Sequence, residues 1–449
     1  MNVVPQFNRL LTQSMNRRGQ FWKYLSQSCL QRLLMRIAVV GSGIAGLTAS
    51  WLLDREGYHV ILLERLPELG LAAHGMTLSI DGEKLSADIP SRMFNAALWP
   101  NLFQLYYDLG IETAPVDRSQ TFGELANHPV FRVGVSYFAG LTSGRFWQAE
   151  CRQIRQDIQR MKESAGDDLA NCQRDGIDFQ TYLDSRQYSA PFREFFLFPS
   201  LSSTVCTCSY ESLAQYPAAM ILKAMISLTS GDRLLRVQNG SKEIVQRLTA
   251  SLTDIRCNTA VESVQIKDHQ VHLALNSGER ITVDHLVMAT QANTALKILH
   301  DQTDAERSML ESFTYENVKI VLHHDESFMP PTQKDWGTFN IMTNAARDAA
   351  MCTVWMNRFC PEWKTKSCLF QTIMPLSEPD PAKMLCERFL QRPIVNPKSL
   401  AGLNRLTELH REPGRRIWFC GSYASSGVPL LESGVQASYA VHQALVALR

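Results

Sequence analysis

The segment at 41–46 (Gly-Ser-Gly-Ile-Ala-Gly) has a glycine spacing that suits chemistry with phosphate. A strand-length apolar run, Ile37 to Val40, precedes it, and Leu47 to Leu53 predicts a helix after it. In such a unit the glycines allow a tight turn, and the helix N-terminus offers backbone N–H groups to a pyrophosphate. Glu64 ends the next predicted strand about 20 residues later, where a carboxylate can accept hydrogen bonds from ribose hydroxyls. The pattern predicts a dinucleotide site, and a glycine-rich turn in another α/β protein is the alternative.

Two side chains in the loops that follow could act on a bound molecule. His74 could contact the cofactor or act as a base, and the alternative is that it holds the backbone of its own loop. Arg92 could bind a carboxylate or phosphate of a substrate, and the alternative is an ion pair with Asp88. The sequence leaves both pairs of alternatives open.

The second half of the chain supplies the other catalytic candidates. His323 and His324 are adjacent in a predicted strand, so they point to opposite faces and at most one of them faces a site. Trp336 and Tyr423 could line a pocket, although aromatic residues in a sheet belong more often to the core. The catalytic residue itself stays unknown, with His74, Arg92, His324, Trp336 and Tyr423 as the candidates.

The composition excludes several classes of protein. The chain has 449 residues, of which 45% are apolar, and a formal net charge of +1, so a nucleic-acid partner is not expected. None of the 11 cysteines forms a C-x-x-C pair, so no metal site is predicted. No apolar run is long enough to predict a transmembrane helix.

Residues 1–34 form a basic extension without Asp or Glu. Three interpretations remain open: an organellar targeting peptide, an amphipathic helix that touches anionic lipid, or an upstream extension before a natural start at Met35. We expect a cytoplasmic protein, with a mitochondrial or membrane-peripheral location as the alternative if residues 1–34 are translated.

Beyond the first unit, the pattern predicts a nucleotide-binding domain that other segments interrupt twice. Four strand-like runs separated by turns lie between residues 318 and 375 and predict an antiparallel sheet. The stretch from about 120 to 235 has a mostly helical pattern, which includes an apolar helix from Ser212 to Thr229. The predicted division is 35–90, 236–295 and 413–449 for the nucleotide-binding domain, 91–235 for a mostly helical cap, and 296–412 for the sheet of a substrate domain.

These separated segments together resemble a known family. The residues that carry the resemblance are the 41–46 turn, Glu64, Val261, Ala289-Thr290 and the ending Gly421…Glu432-Ser-Gly434. They resemble the FAD-dependent superfamily of flavin amine oxidases, phytoene-type desaturases and protoporphyrinogen oxidases. A narrower similarity to bacterial and fungal amine oxidase-like proteins rests on His323-His-Asp325…Met329-Pro330…Trp336…Asn340 and on Trp355-Met-Asn-Arg358. The resemblance implies an α/β fold, with a discontinuous FAD-binding Rossmann-type domain and a substrate domain of antiparallel sheet plus helices.

The resemblance also implies which residues bind FAD. The glycine turn would hold the pyrophosphate, Glu64 the adenosine ribose, and the backbone of Val261 the adenine. Gly434 and Val435 would open the last helix beneath the flavin, where a helix N-terminus stabilises negative charge. The full implied set is Gly41, Ser42, Gly43, Ile44, Ala45, Gly46, Glu64, Arg65, Val261, Thr290, Gly421, Ser422, Gly434 and Val435.

Departures from the family bear on the substrate. Amine oxidases often have an aromatic residue before the last helix, where it forms half of a cage beside the flavin, but Ser425 to Gly434 contains none. We therefore expect an FAD-dependent oxidoreductase of the desaturase or oxidase type, which takes a hydride from an apolar or amphipathic small molecule. The alternatives are a flavin amine oxidase that releases imine and hydrogen peroxide, and a non-catalytic flavoprotein that binds lipid or a partner. The expected partners are a lipid-like or amine substrate, O2 or another electron acceptor, and a peripheral membrane contact.

Overall fold

The computed structural model describes residues 35–125, 130–133, 148–229 and 231–448, so the predicted extension at 1–34 lies outside the described residues. The strands are β1 (Arg36–Val40), β2 (His59–Leu63), β3 (Met76–Ile80), β4 (Glu83–Ala87), β5 (Thr113–Pro115), β6 (Gln120–Glu124), β7 (Val130–Val133), β8 (Leu235–Val237), β9 (Asp254–Arg256), β10 (Val261–Lys267), β11 (Gln270–Leu275), β12 (Arg280–Val283), β13 (His285–Met288), β14 (Tyr315–His323), β15 (Phe339–Thr343), β16 (Ala350–Trp355), β17 (Phe370–Ile373), β18 (Met384–Pro393) and β19 (Ile417–Phe419).

The helices of the described residues follow in chain order. They are α1 (Ile44–Arg55), α2 (Pro100–Asp108), α3 (Gln148–Asp175), α4 (Phe179–Arg186), α5 (190–206, with π-helical turns at Arg193–Leu197 and Leu201–Cys206), α6 (Tyr210–Ala214), α7 (Ala218–Thr229), α8 (Ser241–Thr249), α9 (Ala292–Ile298), α10 (Asp304–Leu310), α11 (Met356–Phe359), α12 (Pro397–Leu409) and α13 (Leu431–Val446). Short 3-10 turns lie at Glu326–Phe328 and Gln333–Asp335.

A five-stranded parallel sheet forms the first layer, in the order β19-β13-β1-β2-β9. Its strands come from three separate parts of the chain. Ile37 of β1 lies beside Val60 of β2 and His285 of β13, and the β1 residues from Ile37 to Val40 are buried. Strands that are covered on both faces have continuous apolar sequences, which is why these runs were recognisable. Helices α1 and α13 pack on each other against this sheet.

A seven-stranded sheet forms the second platform, in the order β18-β14-β17-β16-β15-β6-β7. The four strand-like runs of the sequence are its strands β14 to β17, and their pairings with one another are antiparallel. The prediction that the chain becomes helical from about residue 120 is wrong at its start. Strands β6 and β7 lie at 120–133, and β6 pairs in parallel with β15 through Phe339 and Gln120. Strand β6 is short and contains Gly123, so its own sequence gives little strand signal.

Helices α3 to α7 form a cap on this sheet. Their buried side chains share one apolar core with the sheet, and the rings of Phe122 on β6 and Phe196 on α5 lie 5.2 Å apart. The predicted helix from Ser212 to Thr229 is in fact two helices, α6 and α7. The chain between them, at Tyr216 and Pro217, pairs with residues near Phe179, and Pro217 has no backbone N–H to continue α6.

The remaining strands form a three-stranded sheet, β10-β11-β12, and the pairs β3-β4 and β5-β8. Helix α12 packs with the nucleotide-binding layer, because Leu406 and Leu409 belong to the same apolar core as Ile417 and Val441. The predicted domain boundaries themselves stay a prediction. Among the described helices, none has both the length and the apolar composition needed to cross a membrane.

Candidate active site

The three glycines of the turn after β1 differ in what surrounds them. A Cβ on Gly41 would lie 2.8 Å from the carbonyl oxygen of Ala289, and its φ of +99° favours glycine. A Cβ on Gly46 would overlap the carbonyl oxygen of Gly41. A Cβ on Gly43 would meet no protein atom within 4 Å, and Gly43 is the exposed N-cap of α1. Gly41 and Gly46 thus allow the turn to form, whereas Gly43 leaves space in front of a helix N-terminus.

Ser42 and Glu64 connect this turn to the end of β2. The Ser42 backbone N–H and hydroxyl both donate to Oε2 of Glu64, at 2.9 and 2.5 Å. The same hydroxyl accepts a hydrogen bond from the backbone N–H of Gly70 at 2.6 Å, and Oε1 of Glu64 accepts one from Leu66. The Glu64 side chain therefore organises the loops, and Oε1 keeps further capacity to accept from a ligand.

A cavity of about 420 Å³ extends from the glycine turn to the seven-stranded sheet. On the nucleotide-binding side its wall contains Gly43, Ile44, Ala45, Thr290, Gly421 and Ser422. On the sheet its wall contains Val318, Ile320, Phe339, Val354, Ile373 and Leu390, and on the cap Phe196, Ser200, Leu201, Thr204 and Met225. One space thus joins six of the predicted cofactor residues to an apolar chamber.

Strand register explains why the chamber is apolar. Val318 lies opposite Leu390, Ile320 opposite Ile373, and Phe339 opposite Val354. Residues that are directly opposite each other point to the same face of a sheet, so these side chains form an apolar patch towards the cap, with Gln120 and Arg392 beside it. The other face carries a buried polar ladder in which His323, Thr372 and Thr353 hydrogen-bond to one another in sequence.

The charged side chains in the cavity wall are all arginines. They are Arg92, Arg118 and Arg392, and no Asp, Glu, Lys or His is among the described residues that line the cavity. Arg92 donates to the Leu71 carbonyl at 3.1 Å and to the Ser241 hydroxyl, and its guanidinium lies 3.7 Å from the Asp88 carboxylate. Arg92 therefore forms the ion pair with Asp88 and borders the cavity, and its binding of a substrate anion stays a prediction.

A second, smaller cavity of about 190 Å³ lies inside the cap. Its wall contains Ile158, Met161, Ala165 and Leu222 from α3 and α7, together with Phe196 and Met225. Phe196 and Met225 also line the main cavity, so these two side chains stand between the two spaces.

The segment that leads into the last helix, α13, contributes to the cavity through other residues than predicted. Helix α13 begins at Leu431, with extended Leu430 as its N-cap, so the prediction that Gly434 and Val435 open this helix is wrong. Leu430 and Leu431 line the cavity, and Val435 is fully buried. A Cβ on Gly434 would lie 2.8 Å from Cγ2 of Ile44. Gly434 thus lets α13 approach α1, and that close approach explains the glycine.

Three of the catalytic candidates lie away from the cavity wall. Trp336 is buried, donates its indole N–H to the Pro330 carbonyl at 2.6 Å, and packs on Trp355 and Phe370. His324 hydrogen-bonds the Cys368 carbonyl. His74 is half-buried in the loop after Gly70, where burial and then the charge of Arg92 lower the pKa of its imidazole. These positions support the structural alternative for Trp336 and His324.

Tyr423 is the catalytic candidate that lines the cavity together with Arg92. Its ring is buried against Phe313, at 4.8 Å between ring centroids, and a Cβ on Gly421 would lie 2.8 Å from it. Burial raises the pKa of the Tyr423 hydroxyl well above its ordinary value. This hydroxyl is buried and has no hydrogen-bond partner within the described part of the chain, so the residue borders the cavity with another part of its side chain or backbone.

Two further predicted cofactor residues lie outside the main cavity wall. Arg65 is exposed beside Glu64, and Val261 begins β10. The chain just before Val261 is tied to the end of β2, because the Thr259 N–H donates to the Glu64 carbonyl at 2.8 Å. Their contacts with a nucleotide stay predictions.

Sequence reasoning missed the polar residues of the chamber, chiefly Arg118, Gln120, Thr204, Tyr315 and Arg392. Arg392 lies on β18, whose apolar residues at 385, 386, 389 and 390 recur at a spacing closer to that of a helix. Nothing in that pattern indicated a strand. Within sheets proline is confined to edge strands and bulges, so Pro393 agrees with the position of β18 at the edge of its sheet.

The comparison with protein families decides the general class. The model of the family described as flavin containing amine oxidoreductase matches residues 44–365, more than half of the chain. The chain belongs to this family. It is an FAD-dependent oxidoreductase, and the flavoprotein resemblance inferred from the separated motifs is confirmed.

Individual relatives of the flavoprotein are distant. (S)-6-hydroxynicotine oxidase of Paenarthrobacter nicotinovorans is 23% identical over 296 residues, which cover 64% of this chain and 67% of that protein. Putrescine oxidase bound to putrescine has a TM-score of 0.66 at 15% identity, over 92% of this chain and 99% of the other. A fatty acid isomerase of P. acnes that produces CLA has a TM-score of 0.64, with the same identity and coverage. The two solved structures share the fold with this flavoprotein and establish its α/β class.

The residues present fit FAD. The open space at Gly43 suits a pyrophosphate at the N-terminus of α1, and Glu64 Oε1 at the end of β2 can still accept a hydrogen bond. The cavity then runs past Thr290 and Gly421 to Tyr423. A cofactor held at these positions would place its reactive end at the entrance of the apolar chamber.

Proposed function

We propose that this flavoprotein oxidises an apolar or amphipathic, lipid-like molecule at a C–H bond, with O2 as the electron acceptor. The observation that supports this proposal is the chamber wall, in which Val318, Ile320, Val354, Ile373 and Leu390 form one apolar face. An aliphatic chain gains roughly 0.8 kcal/mol for each CH2 group that it buries against such a surface.

The side chains of the chamber have three tasks in this proposal. Bound FAD would supply the hydride acceptor: the substrate would lose a hydride and a proton from adjacent carbons and gain a C=C bond, and O2 would take up the two electrons and two protons as hydrogen peroxide. The apolar sheet face and Leu201 of the cap bind the aliphatic part and exclude water. Phe196 and Met225 form the far wall, and the cavity behind them gives room for a longer chain. Tyr423 forms part of the wall at the cofactor side.

Amine oxidation is the second candidate, because the family description and two of the relatives concern amines. A cationic amine is usually held by carboxylates or by an aromatic cage. The described lining of the main cavity contains no Asp or Glu, and residues 425–434 contain no aromatic side chain. The guanidinium of Arg392, which forms no ion pair among the described residues, would repel a protonated amine. These features favour an apolar or anionic substrate.

Peroxide release tests the choice between the two substrate classes. The purified holoenzyme would be assayed against long-chain alkenoic acids, their methyl esters, linear alkylamines and putrescine. We expect peroxide with the lipid-like compounds and little with the amines. Peroxide from the amines alone would contradict the proposal and establish the amine oxidase alternative.

A further inference from the structure

Arg392 differs from the other arginines of the cavity in its partners. Its Nε donates to the Thr207 hydroxyl at 2.7 Å, which fixes the side chain between β18 and the cap. Among the described residues, Arg392 forms no ion pair, and its two Nη groups make no hydrogen bond. Glu316, which lies opposite it on β14, accepts hydrogen bonds from Ser209 and Ser212 instead.

The surroundings of Arg392 make an unpaired guanidinium costly. Arg392 is half-buried, and this burial lowers the pKa of its guanidinium below the ordinary value of arginine, while Arg92 adds a like charge. A buried cation without a counter-ion is normally compensated by an anion, and a guanidinium matches the two oxygens of a carboxylate. In this cavity the described lining contains no carboxylate, so the two Nη groups are available to an anionic ligand.

The position of Arg392 separates it from the predicted pyrophosphate site. The pyrophosphate is expected at Gly43, on the N-terminus of α1, whereas Arg392 is held by the substrate sheet and by Thr207 of the cap. Leu390, two residues earlier on β18, belongs to the apolar face. An anionic group at Arg392 would therefore continue into an aliphatic chain along that face.

We propose that Arg392 binds an anionic oxygen group, a carboxylate or a phosphate, at one end of an amphipathic substrate. This inference rests on the proposed oxidation of a lipid-like molecule and specifies its head group. The two Nη groups donate to the anion, and Thr207 positions the guanidinium. Arg392 is a binding residue that fixes which C–H bond along the chain meets the cofactor.

Equilibrium binding to the holoenzyme tests the inference without any need for turnover. Dodecanoate, dodecyl phosphate, dodecan-1-ol and methyl dodecanoate would be titrated while the flavin spectrum and calorimetric heat are recorded. We expect the wild-type protein to bind at least one anion roughly 10- to 100-fold more tightly than the alcohol and the ester. The anion that binds more tightly, the carboxylate or the phosphate, identifies the head group. Equal affinity for all four compounds would overturn the inference.

Variants of the arginine locate the site. Arg392→Gln should reduce the affinity for the preferred anion to that for the alcohol. The affinity for the alcohol and the FAD content should not change. Arg392→Lys should retain part of the preference for the anion. Exposed Arg405, which contacts Ser308, gives the matched control Arg405→Gln with no change. Loss of FAD from a folded Arg392→Gln protein, or unchanged anion affinity, would overturn the assignment. Anion binding through Arg392 without flavin reduction by any lipid-like compound would instead refute the proposed oxidation and leave the anion site standing.

Discussion

The hydroxyl of Ser42 donates to the carboxylate of Glu64 at 2.5 Å, and both side chains are buried. This contact joins the phosphate turn after β1 to the end of β2. Because the same hydroxyl accepts from the Gly70 N–H, one side chain fixes three separate backbone segments around the predicted nucleotide site.

Removal of this hydroxyl should weaken both the fold and the cofactor site. Ser42→Ala leaves Glu64 Oε2 with one protein donor and the Gly70 N–H with none, a loss of about 1–3 kcal/mol for buried groups. We expect a lower free energy of unfolding and a weaker apparent affinity for FAD, measured by denaturant titration and flavin fluorescence. Ser79→Ala, at an exposed position on β3, is the control. An Ser42→Ala protein with unchanged FAD affinity would show that the network serves the fold alone.

Two glycines of the turn should separate cofactor binding from folding. At Gly43 a side chain meets no protein atom, so Gly43→Val should fold and yet lose FAD, because the valine would occupy the pyrophosphate space. At Gly46 a Cβ overlaps the Gly41 carbonyl, so Gly46→Ala should be unstable. Circular dichroism and bound-flavin absorbance distinguish the two effects. Full flavin occupancy in Gly43→Val would contradict the placement of the pyrophosphate.

The cavity inside the cap should set the longest accepted chain. Gly166 of α3 is exposed and borders this cavity, and a Cβ there meets nothing within 4 Å, so Gly166→Leu adds an apolar side chain at the cavity edge without a clash. We expect about tenfold lower kcat/KM for long-chain substrates, equivalent to about 1.4 kcal/mol, and little change for short ones. Gly166→Ala, which adds one methyl group, is the matched control. An equal loss for all chain lengths would mean that the substrate does not extend past Phe196 and Met225.

Two buried histidines should make the protein less stable in acid. Burial lowers the pKa of His285 and that of His323 to about 4 each, below the ordinary value of 6.5. Between pH 6.5 and 4 the unfolded chain binds these two protons and the folded chain does not. The contribution of these two histidines to stability is therefore complete above pH 6.5 and falls by about 3 kcal/mol per pH unit between pH 6.5 and 4. Burial lowers the pKa of His410 to about 3, so this histidine makes the slope steeper.

Denaturant titrations between pH 7.5 and 5 measure this slope. His323→Gln should lower stability at neutral pH, because it disturbs the hydrogen bond to Thr372, but should make the acid slope shallower by about 1.4 kcal/mol per pH unit. Substitution of exposed His269 is the control. An unchanged slope in His323→Gln would show that this histidine is not the group that binds the proton.

The nucleotide-binding layer could be predicted because its signals are local. The 41–46 turn, its flanking strands and Glu64 lie within a short stretch, and buried parallel strands have continuous apolar sequences. Gly434 was misinterpreted because sequence cannot tell a glycine at a helix start from one that permits helix packing. Its contact with Ile44 joins residues nearly four hundred positions apart.

The substrate chamber could not be predicted, because strand pairing creates it. Arg392 on β18 and Gln120 on β6 reach the cavity only through the register of those strands with β14 and β15. Their own segments have weak strand patterns, so their faces were not assignable. Trp336 shows the reverse case, since its residue type suggested a pocket and its contacts place it in the core.

Anaerobic reduction of the bound flavin tests the central proposal most directly. The oxidised holoenzyme would be mixed without O2 with long-chain alkenoic acids or with linear alkylamines, and the visible flavin absorbance followed. We predict that a lipid-like anionic compound bleaches the flavin, that air restores the colour with release of hydrogen peroxide, and that the amines leave the spectrum unchanged. Bleaching by the amines, with no response to any lipid-like compound, would contradict the account.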